Sequence, residues 1–175
     1  VETLGRRYKI YYGYVLKNAF SDRSVFSPEI EIVVKDAEDN IIWKESKMLS
    51  KIRAEDTLIG GDRLVVDSEP EVVQIELKPI MESRIFMGKE VGSQAFEVKN
   101  LNEINEGSKK SITGEIYNIS DQDYSLVNVN ILFRLDGEIV GGDWTLVSGV
   151  LADSLVEFES FGIGPDNYDN FEVVA

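Results

Sequence analysis

LVNVNILFRLDGEIVGG, Leu126–Gly142, decides the fold class. Val127, Val129, Ile131, Phe133 and Leu135 share one phase. Asn128, Asn130 and Arg134 fall in the other, and Leu132 breaks the pattern. A period of two over this length is that of a strand with one face in a core. Asp136-Gly137 then supplies a turn, because a type I′ hairpin needs φ > 0 at both central residues. The chain returns through Glu138-Ile139-Val140 into Gly141-Gly142. Neither this glycine pair nor Gly60-Gly61 opens a helix or precedes Lys-Ser/Thr, so neither is a phosphate loop. Both read as bulges or strand ends.

The pattern has an earlier echo in EIEIVVKDAEDNIIW, Glu29–Trp43, where Ile30, Ile32 and Val34 share a phase. A shift of 97 places Ile30 on Val127, Asp39 on Asp136 and Asp56-Thr57 on Asp153-Ser154. Upstream, a shift of 100 places Tyr12, Tyr14, Leu16 and Asn18 on Ile112, Gly114, Ile116 and Asn118. The difference falls in a loop, where insertions are tolerated. Order, spacing and phase agree, so two tandem units of one all-β design are expected. In the second, strands are expected at Phe96–Leu101, Lys110–Asn118, Leu126–Leu135, Glu138–Leu146, Leu155–Phe161 and Asn170–Val174, with turn clusters between them. Such spacing indicates antiparallel sandwiches. The expected division is 1–80, a connector at 81–94, and 95–175. Ser46–Asp56 alone stays open between a helical turn and a strand with a loop.

Composition narrows the function. The 175 residues are 43% hydrophobic, enough for a packed core. Asp and Glu outnumber Lys and Arg by 32 to 18, a formal charge of -14. That charge repels nucleic acid and anionic lipid, so neither is an expected partner. Cysteine and histidine are absent. Disulfides, thiolate or imidazole metal sites and histidine-based catalytic triads are thereby excluded. No apolar run approaches the roughly 18–20 residues that span a bilayer, and no signal peptide is visible. The chain begins at Val1 rather than Met, so an upstream signal or anchor is expected to have been removed.

ITGEIYNIS, VNVNILFRLDGEIVGG and VLADSLVEFESF resemble the FxLYD-type domain, an immunoglobulin- or fibronectin III-like sandwich. The resemblance covers most of Phe96–Val174 and is weaker over Tyr8–Leu77, where GYVLKN, SPEIEIVVKDAEDNII and IRAEDT correspond. Phe133-Arg134 stands where the family has Tyr-Asp, and Asn40 where glycine is usual. The resemblance implies two tandem immunoglobulin-like sandwiches from a prokaryotic envelope or secreted protein. It implies an accessory or adhesion role and carries no catalytic residue over.

Three stretches hold candidate site residues. GPDNYDN, Gly164–Asn170, crowds Asp166, Asn167, Asp169 and Asn170 as a calcium loop would, with Glu2, Glu55, Asp56 or Asp62 as further ligands. Pro-Asp-Asn is also ordinary turn chemistry. DAEDN, Asp36–Asn40, fails the EF-hand pattern and reads as a solvated turn, as does Asp121–Asp123. YKIYYGY puts Tyr8, Tyr12 and Tyr14 on one strand face. Exposed, they would stack on sugar rings; buried, they are core. Asn118-Ile119-Ser120 is a sequon that matters only in a secretory host. Carboxylate pairs are plentiful, but glycosidase chemistry needs a cleft and unequal pKa values. No catalytic, cofactor or metal residue is therefore assigned. The expected role is a non-enzymatic spacer, adhesion module or ligand-binding ectodomain with a protein or carbohydrate partner. A carbohydrate-binding accessory module and a calcium-stabilised surface domain are the alternatives.

Overall fold

A computed structural model describes residues 2–4, 7–87, 95–106, 109–162 and 164–175. It is nearly all β, and among the described residues the only helical turn is a 3₁₀ turn at Glu82–Arg84. The chain forms two compact units. One comprises Val1–Ile10, Val15–Leu58 and Leu64–Val91. The other comprises Tyr11–Tyr14, Ile59–Arg63 and Gly92–Ala175.

In chain order the strands are β1 Glu2–Leu4, β2 Arg7–Lys17, β3 Arg23–Val25, β4 Glu29–Lys35, β5 Ile41–Met48, β6 Thr57–Val66 and β7 Val72–Leu77. After the 3₁₀ turn come β8 Ile85–Met87, β9 Phe96–Glu106, β10 Lys109–Asn118, β11 Tyr124–Leu135, β12 Glu138–Val150, β13 Leu155–Glu159 and β14 Asn170–Val174.

The hairpin of the second unit is β11–β12. Leu135 pairs with Glu138, and Asp136 and Gly137 take φ of 52° and 84°, as a type I′ turn requires. Val127, Val129, Ile131 and Phe133 are buried in the core with Ile112, Ile116, Val147, Val150 and Phe158. β14 pairs with the other edge of β11, giving the order β12-β11-β14. The other sheet has the order β13-β10-β9. β9 runs five residues past the expected end at Leu101. Asn102, Glu103 and Asn105 in its continuation are polar and exposed at a sheet edge, where ladder bonds form with little apolar alternation. Asn100, at φ 51°, sits where the register shifts opposite Gly114.

The same pairing order recurs earlier. β4, with Ile30, Ile32 and Val34 fully buried, lies between β5 and β7. β2 lies between β1 and β6. Thus β5-β4-β7 matches β12-β11-β14, and β1-β2-β6 matches β9-β10-β13. Ser46–Asp56 contains no helix: β5 runs to Met48, and Ile52 bridges to Val25. Residues 85–87 form β8, which pairs with β3, while 88–94 lie outside the described residues.

Two corners share one hydrogen-bond pattern and set the offset between them. Asn18 N–H donates to the Asp56 carbonyl at 2.9 Å, and Asn118 N–H to the Ser154 carbonyl at 2.9 Å. Glu55 and Asp153 both take left-handed φ, 61° and 53°. Asp153 therefore matches Glu55, not Asp56, one residue away from the alignment by phase. Phase fixes only which face a residue occupies, and the corner lies past the last alternating residue.

Candidate functional site

A concavity lies in the first unit. It is a cleft of about 220 Å³. Leu16, Phe20, Val25, Ile52, Leu77 and Ile80 make its apolar wall, and Lys17 is its one charged lining residue. Asn18 builds the corner, only 4% exposed. Its Nδ2 donates to the carbonyls of Arg23, Arg53 and Ile52 at 2.8, 2.9 and 3.3 Å, and its Oδ1 accepts from Phe20 N–H at 3.1 Å. One side chain thus fixes the loop after β2 against the segment before β6. Phe20 is left exposed at the rim with the Arg23 guanidinium 5.4 Å from its ring centroid. The volume is below the roughly 300–1,000 Å³ of small-molecule sites and suits one large apolar side chain. The lining presents no pair of groups for acid–base or nucleophilic chemistry.

The cleft lies at the end of β7. Lys78 N–H bonds to the Glu29 carbonyl, which sets the antiparallel alternation. Val72, Gln74 and Glu76 then exchange bonds with β4, and the N–H and C=O groups of Val73, Ile75 and Leu77 point away from it. Among the described residues no strand pairs with that edge. Val73 and Leu77 stand opposite the buried Val34 and Ile30, yet are 37% and 48% exposed.

On the outer face of this sheet, Lys78 Nζ contacts Glu29 Oε1 at 2.7 Å, Ser46 Oγ at 2.7 Å and Glu31 Oε1 at 3.6 Å. Lys44 Nζ contacts Glu31 Oε2 at 2.9 Å. The bond from Lys78 holds the Glu29 carboxyl below its usual range, and that from Lys44 does the same for Glu31.

The tyrosines do not form an exposed row. Tyr12 is 6% exposed, and Tyr8 and Tyr14 are half-buried. Tyr14 lies against Gly60, where a Cβ would strike its ring. Burial, aided by the Asp62 carboxylate, pushes its phenol up to about 12.

The acidic turns bind their own backbone. Asp36 Oδ1 accepts from Glu38 and Asn40 N–H at 3.0 and 2.8 Å, and Lys35 Nζ meets Asp39 Oδ1 at 2.7 Å. Asp123 Oδ1 accepts from Ala152 N–H at 2.8 Å. In GPDNYDN, Asp169 Oδ2 accepts from Asp136 N–H at 2.8 Å, so this loop braces the β11–β12 turn. Lys110 Nζ donates to the Asp166 carbonyl at 2.6 Å. Tyr168 packs 4.5 Å from Phe133 between ring centroids, and burial pushes its phenol up, with Glu103 adding to the effect. Asp56 and Asp62 accept the next residue's N–H, and the Glu2 side chain lies outside the described residues. Among the described residues no three acidic side chains gather as a metal site would need.

The glycine pairs lie inside strands, Gly60-Gly61 in β6 and Gly141-Gly142 in β12. Gly141 adjoins a bulge, opposite Phe133/Arg134. Gly61 and Gly142 allow close backbone approach within the second unit, whereas Gly60 and Gly141 face side chains. A Cβ on Gly61 would lie 2.6 Å from Gly142 Cα. A Cβ on Gly13 would lie 2.7 Å from both Leu132 Cδ1 and the Gly141 carbonyl. Leu132, out of phase in its strand, is therefore buried on the face these glycines cover.

Asp143 gave no signal in the sequence. Its side chain is 0% exposed. Its Oδ1 accepts from Trp144 N–H at 2.7 Å and its Oδ2 from Gly162 N–H at 2.9 Å, tying β12 to the segment after β13. Trp144 stacks edge-on with Phe161 at 4.8 Å.

Comparison of the chain with protein-family models, with curated proteins and with solved structures finds no match. Among the described residues no helix is long and apolar enough to cross a membrane.

Proposed function

We propose that the chain is a non-enzymatic recognition module of an envelope or secreted protein, built from two tandem immunoglobulin-like sandwiches of the FxLYD type. The repeated sheet orders and the matching Asn18 and Asn118 corners support the tandem reading. The apolar cleft beside β7 carries the functional reading: it takes an apolar side chain of a protein ligand and offers no groups for bond-breaking chemistry. Extracellular placement rests on the resemblance.

The carbohydrate alternative needs exposed aromatic faces, and Tyr12 is buried while Tyr8 and Tyr14 are half-buried. The calcium alternative needs convergent oxygens, and Asp169 spends a carboxylate oxygen on Asp136 N–H. A thermal-shift panel of short apolar peptides, oligosaccharides and calcium chloride tests the choice. Ligands that bind the native state raise the midpoint. Peptides alone are expected to do so. A shift with oligosaccharide or calcium and none with peptide would overturn the proposal.

A further inference from the structure

Resting on the recognition-module reading, we infer that β7 accepts an added β-strand from a partner: an extended segment alternating apolar with basic residues. Three observations converge on this edge. Val73, Ile75 and Leu77 direct N–H and C=O groups outward at the two-residue spacing that a further strand matches. The inward-facing Val73 and Leu77 are exposed for want of a neighbour. The cleft at the end of the strand, with Leu77 and Ile80 in its wall, seats one apolar side chain of the incoming segment.

Charge selects the occupant. Glu69, Glu71 and Glu76 are exposed on and before β7, within a chain of charge -14. Lys78, the cation next in sequence to the strand, is already bonded to Glu29 and Ser46. Asp67 is engaged by Arg7 at 3.2 Å. Two copies, each of charge -14, repel one another as they approach. A lysine- or arginine-bearing strand meets these glutamates favourably and speeds encounter. Unpartnered apolar edges are otherwise guarded against pairing, and here Pro70 and Pro79 bracket the strand but leave its middle open.

The test is amide hydrogen exchange on the full chain, titrated with a short peptide alternating valine and lysine. Val73, Ile75 and Leu77 amides are expected to exchange quickly alone and slowly with peptide. The same peptide with glutamate for lysine is expected to bind about tenfold more weakly, one decade in Kd. Glu69→Lys with Glu71→Lys, both exposed, is expected to reverse that preference. Ile75→Pro removes the central outward N–H and no bond to β4, and is expected to abolish the protection. Should that variant misfold, the glutamate reversal decides alone. Peptide binding that leaves these three amides unchanged overturns the site while sparing the module reading. Equal binding of both peptides overturns the charge selection. Protection that grows with protein concentration and no peptide makes a second copy the occupant and overturns the partner. A response to oligosaccharide alone overturns the module reading itself.

Discussion

Asn18 and Asn118 hold the same corner in the two units. Each has its N–H bonded across to a carbonyl 2.9 Å away, its Oδ1 accepting from the N–H two residues on, and its Nδ2 spread over distant carbonyls. Asn118 reaches the Gln122 and Leu151 carbonyls at 2.8 and 3.0 Å and is 0% exposed. The loop after β10 therefore cannot leave the end of β12 without stranding buried polar groups, and the same holds for β2 and the segment before β6. Asn18→Ala and Asn118→Ala are each expected to cost on the order of 3 kcal/mol, because several buried partners lose their bond at once. Urea unfolding checks this. A loss below about 1 kcal/mol, the worth of a single ordinary bond, would contradict the corner's role.

The two kinds of glycine in the opening hairpin are expected to respond differently. At Gly142 an added Cβ would lie 2.5 Å from Gly61 Cα and 2.9 Å from Gly61 N, so the neighbour is backbone. Gly142→Ala is expected to cost about 3 kcal/mol, at the upper end for overpacking. Gly137 has nothing within 4 Å but a φ of 84°. Gly137→Ala is expected to cost about 1 kcal/mol, from conformation alone. Urea unfolding of the two variants side by side gives the order.

Asp143 is a buried carboxylate holding two backbone donors. Asp143→Ala leaves both without that acceptor, an expected loss of about 3 kcal/mol. Asp143→Asn keeps one acceptor oxygen and is expected to fall between. The Gly162 amide, bonded to Asp143 Oδ2, is expected to exchange faster in both variants than in the native chain.

Glu29 and Glu31 have carboxyls held below the usual 4.5. A depressed folded value means the contribution is present above pH 4.5 and lost as pH falls through the lower folded values. Lys78→Met is expected to flatten the acid limb of the stability–pH curve. Tyr14 shifts the other way, from 10.0 to about 12. Its contribution is present below pH 10.0 and lost as pH rises through about 12. Tyr14→Phe is expected to remove a tyrosinate absorbance step near pH 12 and to reduce the alkaline loss of stability.

The hairpin was legible because its evidence is local: alternation on one strand and Asp136-Gly137 between two. The all-β class was legible because short alternating runs recur with turn clusters between them. Leu132 was not, since what buries it comes from Gly13, more than a hundred residues away. The glycine pairs were seen, but their meaning lies in which glycine meets which backbone. Asn18 and Asn118 were aligned by phase, yet nothing local says that an asparagine at a strand end is buried. The cleft could not be read at all: Leu16, Val25, Ile52 and Leu77 come from separate segments, and each alone is an ordinary core-type residue.

The most direct test of the cleft as the working surface is methyl NMR on the full chain, titrated with the valine–lysine peptide. The expected result is shifts at Leu16, Val25, Ile52, Leu77 and Ile80 that saturate together, with the Val127, Val129 and Ile131 methyls of the second core unmoved. Saturable peptide binding that leaves the cleft methyls unmoved would contradict it.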